Sequence, residues 1–141
     1  MDNVAIIVLL SLVPLWFLSL FLFSRASWSK LAKLYKSTEV FYGTDYGRFD
    51  ARVNDLNYSS RLYLKYNDEG IYLSVVKRYR PFHPPVFIPW NELVDIRKTD
   101  EHVIIEFGNG SDLNQLQVSH KTYEKLEKTL IQYKEQVKAS L

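Results

Sequence analysis

Residues 61–76 read RLYLKYNDEGIYLSVV, and this stretch decides the architecture. Leu62, Leu64 and Tyr66 fall on one face of an extended chain, as do Ile71, Leu73 and Val75 after the Asn67-Asp68-Glu69-Gly70 turn. Apolar residues at a period of two, on both sides of a turn with a glycine free to take positive φ, predict a β-hairpin.

Outward from this hairpin the same period continues. Residues 80–85, RPFHPP, hold three of the five prolines and cannot lie inside a sheet, so they form a rigid extended loop or an edge. The next stretch, VFIPW, places Val86, Ile88 and Trp90 on one side, with Pro89 marking an edge or break. Residues 93–97 read as a strand, and Thr99-Asp100-Glu101 as a turn. Val103, Ile105 and Phe107 then alternate with His102, Ile104 and Glu106. Residues 108–112 form a loop before a last short strand marked by Leu116 and Val118. Upstream, Gly43, Gly47 and the Asp45–Tyr46 pair predict a turn, and Phe49, Ala51 and Val53 alternate with Arg48, Asp50 and Arg52. The expectation is six or seven short antiparallel strands in a sandwich or small barrel.

Both ends are helical. After Ser119, a capping residue, Tyr123, Leu126, Leu130, Tyr133 and Val137 follow at steps of three and four, predicting a helix over about 120–138. Three heptads at most make a weak zipper, so this stripe is expected to cover an open end of the β-structure. At the other end, residues 4–23 contain no ionisable side chain across 20 positions, and only Ser11, Pro14 and Ser19 interrupt the apolar run. About 20 helical residues match a hydrocarbon core of about 30 Å. No basic residue precedes the run and no small-residue cleavage site follows it, which favours an uncleaved anchor over a signal peptide.

Arg25, Lys30, Lys33 and Lys36 follow the run, offset only by Glu39, whereas only Asp2 and the amino terminus precede it. The positive-inside rule therefore puts the N-terminus outside and the C-terminal part in the cytoplasm. Within SWSKLAKLYKS, residues 27–37, Trp28, Leu31, Ala32 and Tyr35 share one helical face. The expected arrangement is an interfacial helix, with Trp28 and Tyr35 in the aromatic belt and Lys30, Lys33 and Lys36 reaching headgroups.

Six or seven strands followed by one amphipathic helix is the order of a pleckstrin-homology (PH)-like barrel. The stretch from 69 to 96, EGIYLSVVKRYRPFHPPVFIPWNELVDI, resembles small bacterial PH-like or GRAM-like single-pass membrane proteins, as does the helical face from Trp28 to Tyr35. The resemblance covers roughly residues 28–135. It implies an α+β fold in three parts: a transmembrane anchor (1–24), a basic amphipathic juxtamembrane helix (25–40) and a PH-like β domain (41–141) closed by the C-terminal helix. Eukaryotic relatives bind phosphoinositide through a basic loop between their first strands. That Lys/Arg pattern has no counterpart here, so the binding does not carry over.

Catalytic chemistry finds no footing. The chain has no cysteine, and His83, His102 and His120 lie in a loop, a strand and a helix start with no metal-site spacing. No phosphate-cradling glycine loop or nucleophile elbow is present. A formal net charge of +2 gives no basis for nucleic-acid binding. No catalytic, cofactor or metal residue is therefore assigned, and no enzyme activity is expected. One cluster remains: Lys77, Arg78, Tyr79, Arg80, Phe82 and His83, with Trp90 close in sequence, interleaves cations and aromatics. Its candidate partners are anionic lipid headgroups or a membrane protein, alongside the lipid bilayer itself. The sequence reads as a non-catalytic interaction or scaffolding module, single-pass in the inner (plasma) membrane. The alternative is an accessory subunit of a larger membrane complex, recognised through its transmembrane helix.

Overall fold

In a computed structural model, which describes residues 3–140, the chain opens with helix α1 (Asn3–Phe23). A π-helical turn (Ser24–Trp28) and helix α2 (Ser29–Tyr35) follow. The strands are β1 (Thr44–Phe49), β2 (Ala51–Val53), β3 (Leu56–Asn57), β4 (Leu62–Tyr66), β5 (Gly70–Val75), β6 (Val86–Pro89), β7 (Leu93–Lys98), β8 (Val103–Asn109) and β9 (Asp112–Val118). Helix α3 (His120–Ser140) completes an α+β fold. One sheet has the order β1-β4-β5-β6 and the other β3-β2-β9-β8-β7. Every pairing within them is antiparallel.

The hairpin at 61–76 forms with Leu62 opposite Val75 and Tyr66 opposite Ile71. Its alternating face is buried, because Leu62, Leu64, Ile71, Leu73 and Val75 all join the core. The turn closes on Asn67, whose side-chain Oδ1 accepts from the backbone N–H of Glu69 (2.8 Å) and Gly70 (3.1 Å). Gly70 is required for a different reason from the positive φ expected there. A Cβ at this position would run into the Ile88 carbonyl on neighbouring β6. As expected of a proline-bearing strand, β6 lies at a sheet edge.

The nine strands correct the expectation of six or seven, and the reason lies in pairing. Phe49, Ala51 and Val53 keep one unbroken alternation, all buried. The chain nevertheless leaves the first sheet after Phe49 and joins the second at Ala51. A tight turn at Asn54 and Asp55, with φ of 48° and 72°, then returns the two-residue β3. The turn expected at 43–47 is a bulge inside β1, where Gly47 at φ +95° donates its N–H to Asp45 Oδ1. The loop expected at 108–112 is shorter: β8 and β9 stay paired up to Asn109 and Asp112, with Gly110 at φ +62°.

Helix α3 starts where Ser119 Oγ accepts from the Thr122 N–H (3.2 Å), an N-cap. Tyr123, Leu126 and Leu130 are buried and Tyr133 packs against the same core. Val137, the last residue of the expected stripe, has a side chain outside the described set.

The juxtamembrane segment departs most from expectation. It ends as a helix at Tyr35 instead of continuing to residue 40, and Lys36 then bridges to Val86. Trp28, Leu31 and Tyr35 do share a face, but they are buried in the domain core and not in an interfacial aromatic belt. The core thus begins well before residue 41, the expected start of the β domain. Between α1 and α2 the π-helical turn fits one extra residue, which shifts the phase of the Trp28–Tyr35 face relative to α1.

Candidate functional site

Between β5 and β6 the chain crosses from a single 3₁₀ turn (Lys77–Tyr79) into the proline loop, and this crossing is stapled to the helices. Ser24 Oγ donates to the Phe82 carbonyl (2.6 Å) and Trp28 Nε1–H to the Pro84 carbonyl (2.8 Å). The Ser37 N–H donates to the Pro85 carbonyl (2.9 Å). Prolines leave these carbonyls without a competing sheet ladder, so the juxtamembrane segment supplies the donors.

The loop also touches α1 through aromatic rings. Tyr79 lies 5.4 Å from Trp16 and Phe82 lies 5.2 Å from Phe21, centroid to centroid. Phe82 holds φ at +63°, a conformation costly for a bulky side chain, and remains 48% exposed. Trp16 precedes Phe23 by seven residues, which is about 10 Å of helix. The 77–85 loop therefore runs beside the last two turns of the apolar helix.

Beneath the loop lies a buried polar chain. Ser27 Oγ and the Tyr58 hydroxyl are 2.6 Å apart, and the same hydroxyl is 3.5 Å from His83 Nε2. His83 Nδ1 reaches the Pro81 carbonyl at 2.8 Å. Burial pushes the Tyr58 phenol up to about 12, against the opposing pull of the Ser27 hydrogen bond and the Arg61 charge. Burial likewise holds the His83 imidazole below its ordinary value. Both side chains are neutral at pH 7.

The cluster expected at 77–83 is therefore divided. Lys77, Arg78 and Arg80 are exposed, and Arg80 also donates its Nε–H to the Val75 carbonyl (3.2 Å). Tyr79 and Phe82 face α1. His83 is buried, and Trp90 is buried elsewhere, donating its indole N–H to the Asn67 carbonyl (2.9 Å). Those two do not belong to an exposed binding patch. Of the residues expected at the membrane interface, Lys30, Lys33 and Lys36 are exposed, while Trp28 and Tyr35 lie in the core. Tyr35 directs its hydroxyl to Glu92 (3.3 Å), and burial with that carboxylate raises the phenol to about 12.

Sequence reasoning passed over Arg61. Its guanidinium carbon sits 4.5 Å from the Tyr79 ring centroid and 5.9 Å from that of Phe23. Among the described residues its guanidinium makes no hydrogen bond or ion pair. It lines a cavity of about 120 Å³ between α1 and the β domain, with Trp16, Ser19 and Phe23 on the helix side and Tyr79 opposite. No acidic side chain lines this space. The only signal for Arg61 was a cation opening the hairpin. Tyr58 and Ser27 carried no signal at all.

Among the described residues no group of three or more His, Asp or Glu side chains could hold a metal ion. Helix α1 is long and apolar enough to cross a membrane, and of its described residues only Leu20 is buried. No protein-family model matches the chain, and no curated protein sequence matches it.

Proposed function

We propose that this chain is a single-pass membrane protein that presents a PH-like, non-catalytic interaction or scaffolding module at the cytoplasmic face. Residues 77–85 seat that module on the bilayer. The observation that carries the reading is Phe82. Its backbone is held in the left-handed region while its ring packs on Phe21 of the apolar helix and stays half exposed. Strain of this kind persists where surrounding structure imposes it. Here it aims a phenylalanine along the helix, at the depth where acyl chains begin. Lys77 and Arg78, on the same crossing, are free to reach lipid phosphates.

Two further features support the reading. Phe21 and Phe23, at the end of the apolar run, pack on Phe82 and Tyr58, so cleavage after the run would strip those rings from the domain's own packing. The PH-like assignment draws on strand order. With β1 and β2 counted as one bent strand and the short β3 set aside, four successive strands, three successive strands and a helix follow in turn.

The chain has no native cysteine, so single engineered cysteines report topology cleanly. In intact cells an impermeant maleimide should label Asn3→Cys at once and Lys128→Cys only after permeabilisation. Phe82→Cys should stay unlabelled until detergent is added. The reverse order of the first two would refute the cytoplasmic assignment, and aqueous labelling of the third would refute the seating. Affinity capture from membranes then tests the module. If replacing residues 4–15 by leucine abolishes partner capture, the helix is the interaction element and the accessory-subunit reading replaces this one.

A further inference from the structure

The cavity between α1 and the β domain carries a more specific inference, which rests on the membrane reading above. We infer that it is a binding site for the phosphate of an anionic membrane phospholipid, with Arg61 as the phosphate-binding cation.

The electrostatics come first. The Arg61 guanidinium carbon lies over the Tyr79 ring at 4.5 Å and 5.9 Å from the Phe23 centroid, and among the described residues its N–H groups make no hydrogen bond or ion pair. A planar cation held this way is suited to bidentate recognition of a phosphate. His83 and Tyr58, the other titratable groups lining the cavity besides Tyr79, are neutral at pH 7, and no carboxylate lines it. Arg61 is thus an uncompensated charge in surroundings that are mostly aromatic and apolar.

Position and size then select a lipid over a free anion. One wall is α1 itself, from Trp16 to Phe23, and Ser19 on that wall is exposed. A ligand entering here would leave along the apolar helix, as acyl chains do. The volume of about 120 Å³ is several times the roughly 10–15 Å³ that one water needs, and admits a phosphate group without a large headgroup.

The test uses the full-length protein purified from membranes in mild detergent, titrated with short-chain phosphatidylglycerol and followed by native mass spectrometry. The wild type should take up one lipid, and more tightly than it takes up phosphatidylcholine. Arg61→Gln should weaken phosphatidylglycerol uptake about tenfold or more, as expected for losing a charged hydrogen-bonding partner. Ser19→Phe closes the cavity from an exposed helix position and keeps the charge. It should weaken uptake similarly, so a folding defect in the Arg61 variant would not decide the matter. Arg97→Gln, on the remote face of β7, should bind as the wild type does. Unchanged uptake in both cavity variants overturns the inference, as does displacement of the lipid by an equal concentration of inorganic phosphate. Carbonate extraction separates the two readings. A chain washed off the membrane refutes the anchor, whereas an embedded chain with indifferent cavity variants refutes only the phosphate site.

Discussion

Trp28 and Pro84, 56 residues apart, are joined by a 2.8 Å hydrogen bond from the indole N–H to the prolyl carbonyl. The indole is fully buried, with the Tyr58 and His83 rings each 5.7 Å away. One side chain thus ties the helical segment after α1, the β domain and the proline loop together. Trp28→Ala should lower the stability of the purified protein by about 3–5 kcal/mol, through lost packing and an orphaned carbonyl. Trp28→Phe should recover more than half of that. Urea titrations in one fixed detergent give both values, and an alanine variant within 1 kcal/mol of wild type would contradict the packing role.

The hydroxyls of Ser27 and Tyr58 form a separable unit. Ser27→Ala leaves the Tyr58 hydroxyl with only its longer 3.5 Å contact to His83, and Tyr58→Phe leaves Ser27 without its partner, so each should cost about 1–3 kcal/mol. The double variant should cost clearly less than their sum, with a coupling of about 1 kcal/mol in a double-mutant cycle. Strict additivity would show that the 2.6 Å contact contributes nothing.

His83 sets a pH dependence whose sign follows from burial. Its folded pKa lies below the ordinary 6.5, so folding favours the neutral ring. The stabilisation is complete above about 6.5 and is lost as pH falls from there through the folded value. The slope cannot exceed about 1.4 kcal/mol per pH unit for one proton. Tyr58, its titratable neighbour, is raised to about 12 and does not change state in that window. Thermal melts of the wild type should fall on acidification from pH 7, and His83→Gln should flatten that part of the profile. An equally steep profile in the variant would assign the effect to other groups.

Gly70 and Gly47 should fail differently when changed to alanine. At Gly70 the new methyl meets the Ile88 carbonyl and the Pro89 backbone, and β5 and β6 must separate to admit it. At Gly47 no atom lies within 4 Å, but φ is +95°. Gly70→Ala should cost about 1–3 kcal/mol and loosen amide protection along β6. Gly47→Ala should cost about 1–2 kcal/mol without affecting β6. Hydrogen exchange resolved by strand distinguishes the two.

Charge reversal at Lys77 and Arg78 should weaken binding of the full-length protein to acceptor vesicles rich in phosphatidylglycerol, by roughly 1 kcal/mol per residue. Arg80→Glu should act through stability instead, because its Nε–H supports the Val75 carbonyl. Equal vesicle binding by the Lys77 and Arg78 variants would remove the 77–85 loop from the seating.

Much of the architecture was legible because burial follows the period of each element. Leu62, Leu64, Ile71 and Leu73 announced a half-buried hairpin, Val103, Ile105 and Phe107 a strand, and Tyr123, Leu126 and Leu130 a helix face. The uncharged run over residues 4–23 likewise became a single helix of spanning length. Periodicity says which side of an element is apolar. It does not say what covers that side. The face formed by Trp28, Leu31 and Tyr35 is equally suited to lipid and to protein, and only its contacts with the β domain and the proline loop make it part of the core. The same holds for Arg61, whose neighbours Phe23 and Tyr79 are 38 and 18 residues away in sequence. Sequence determined the elements and their apolar faces, because those depend on neighbours along the chain. Tertiary structure decided the corner at Asp50, the burial of His83 and the cavity beside α1, because those depend on residues that meet only across space.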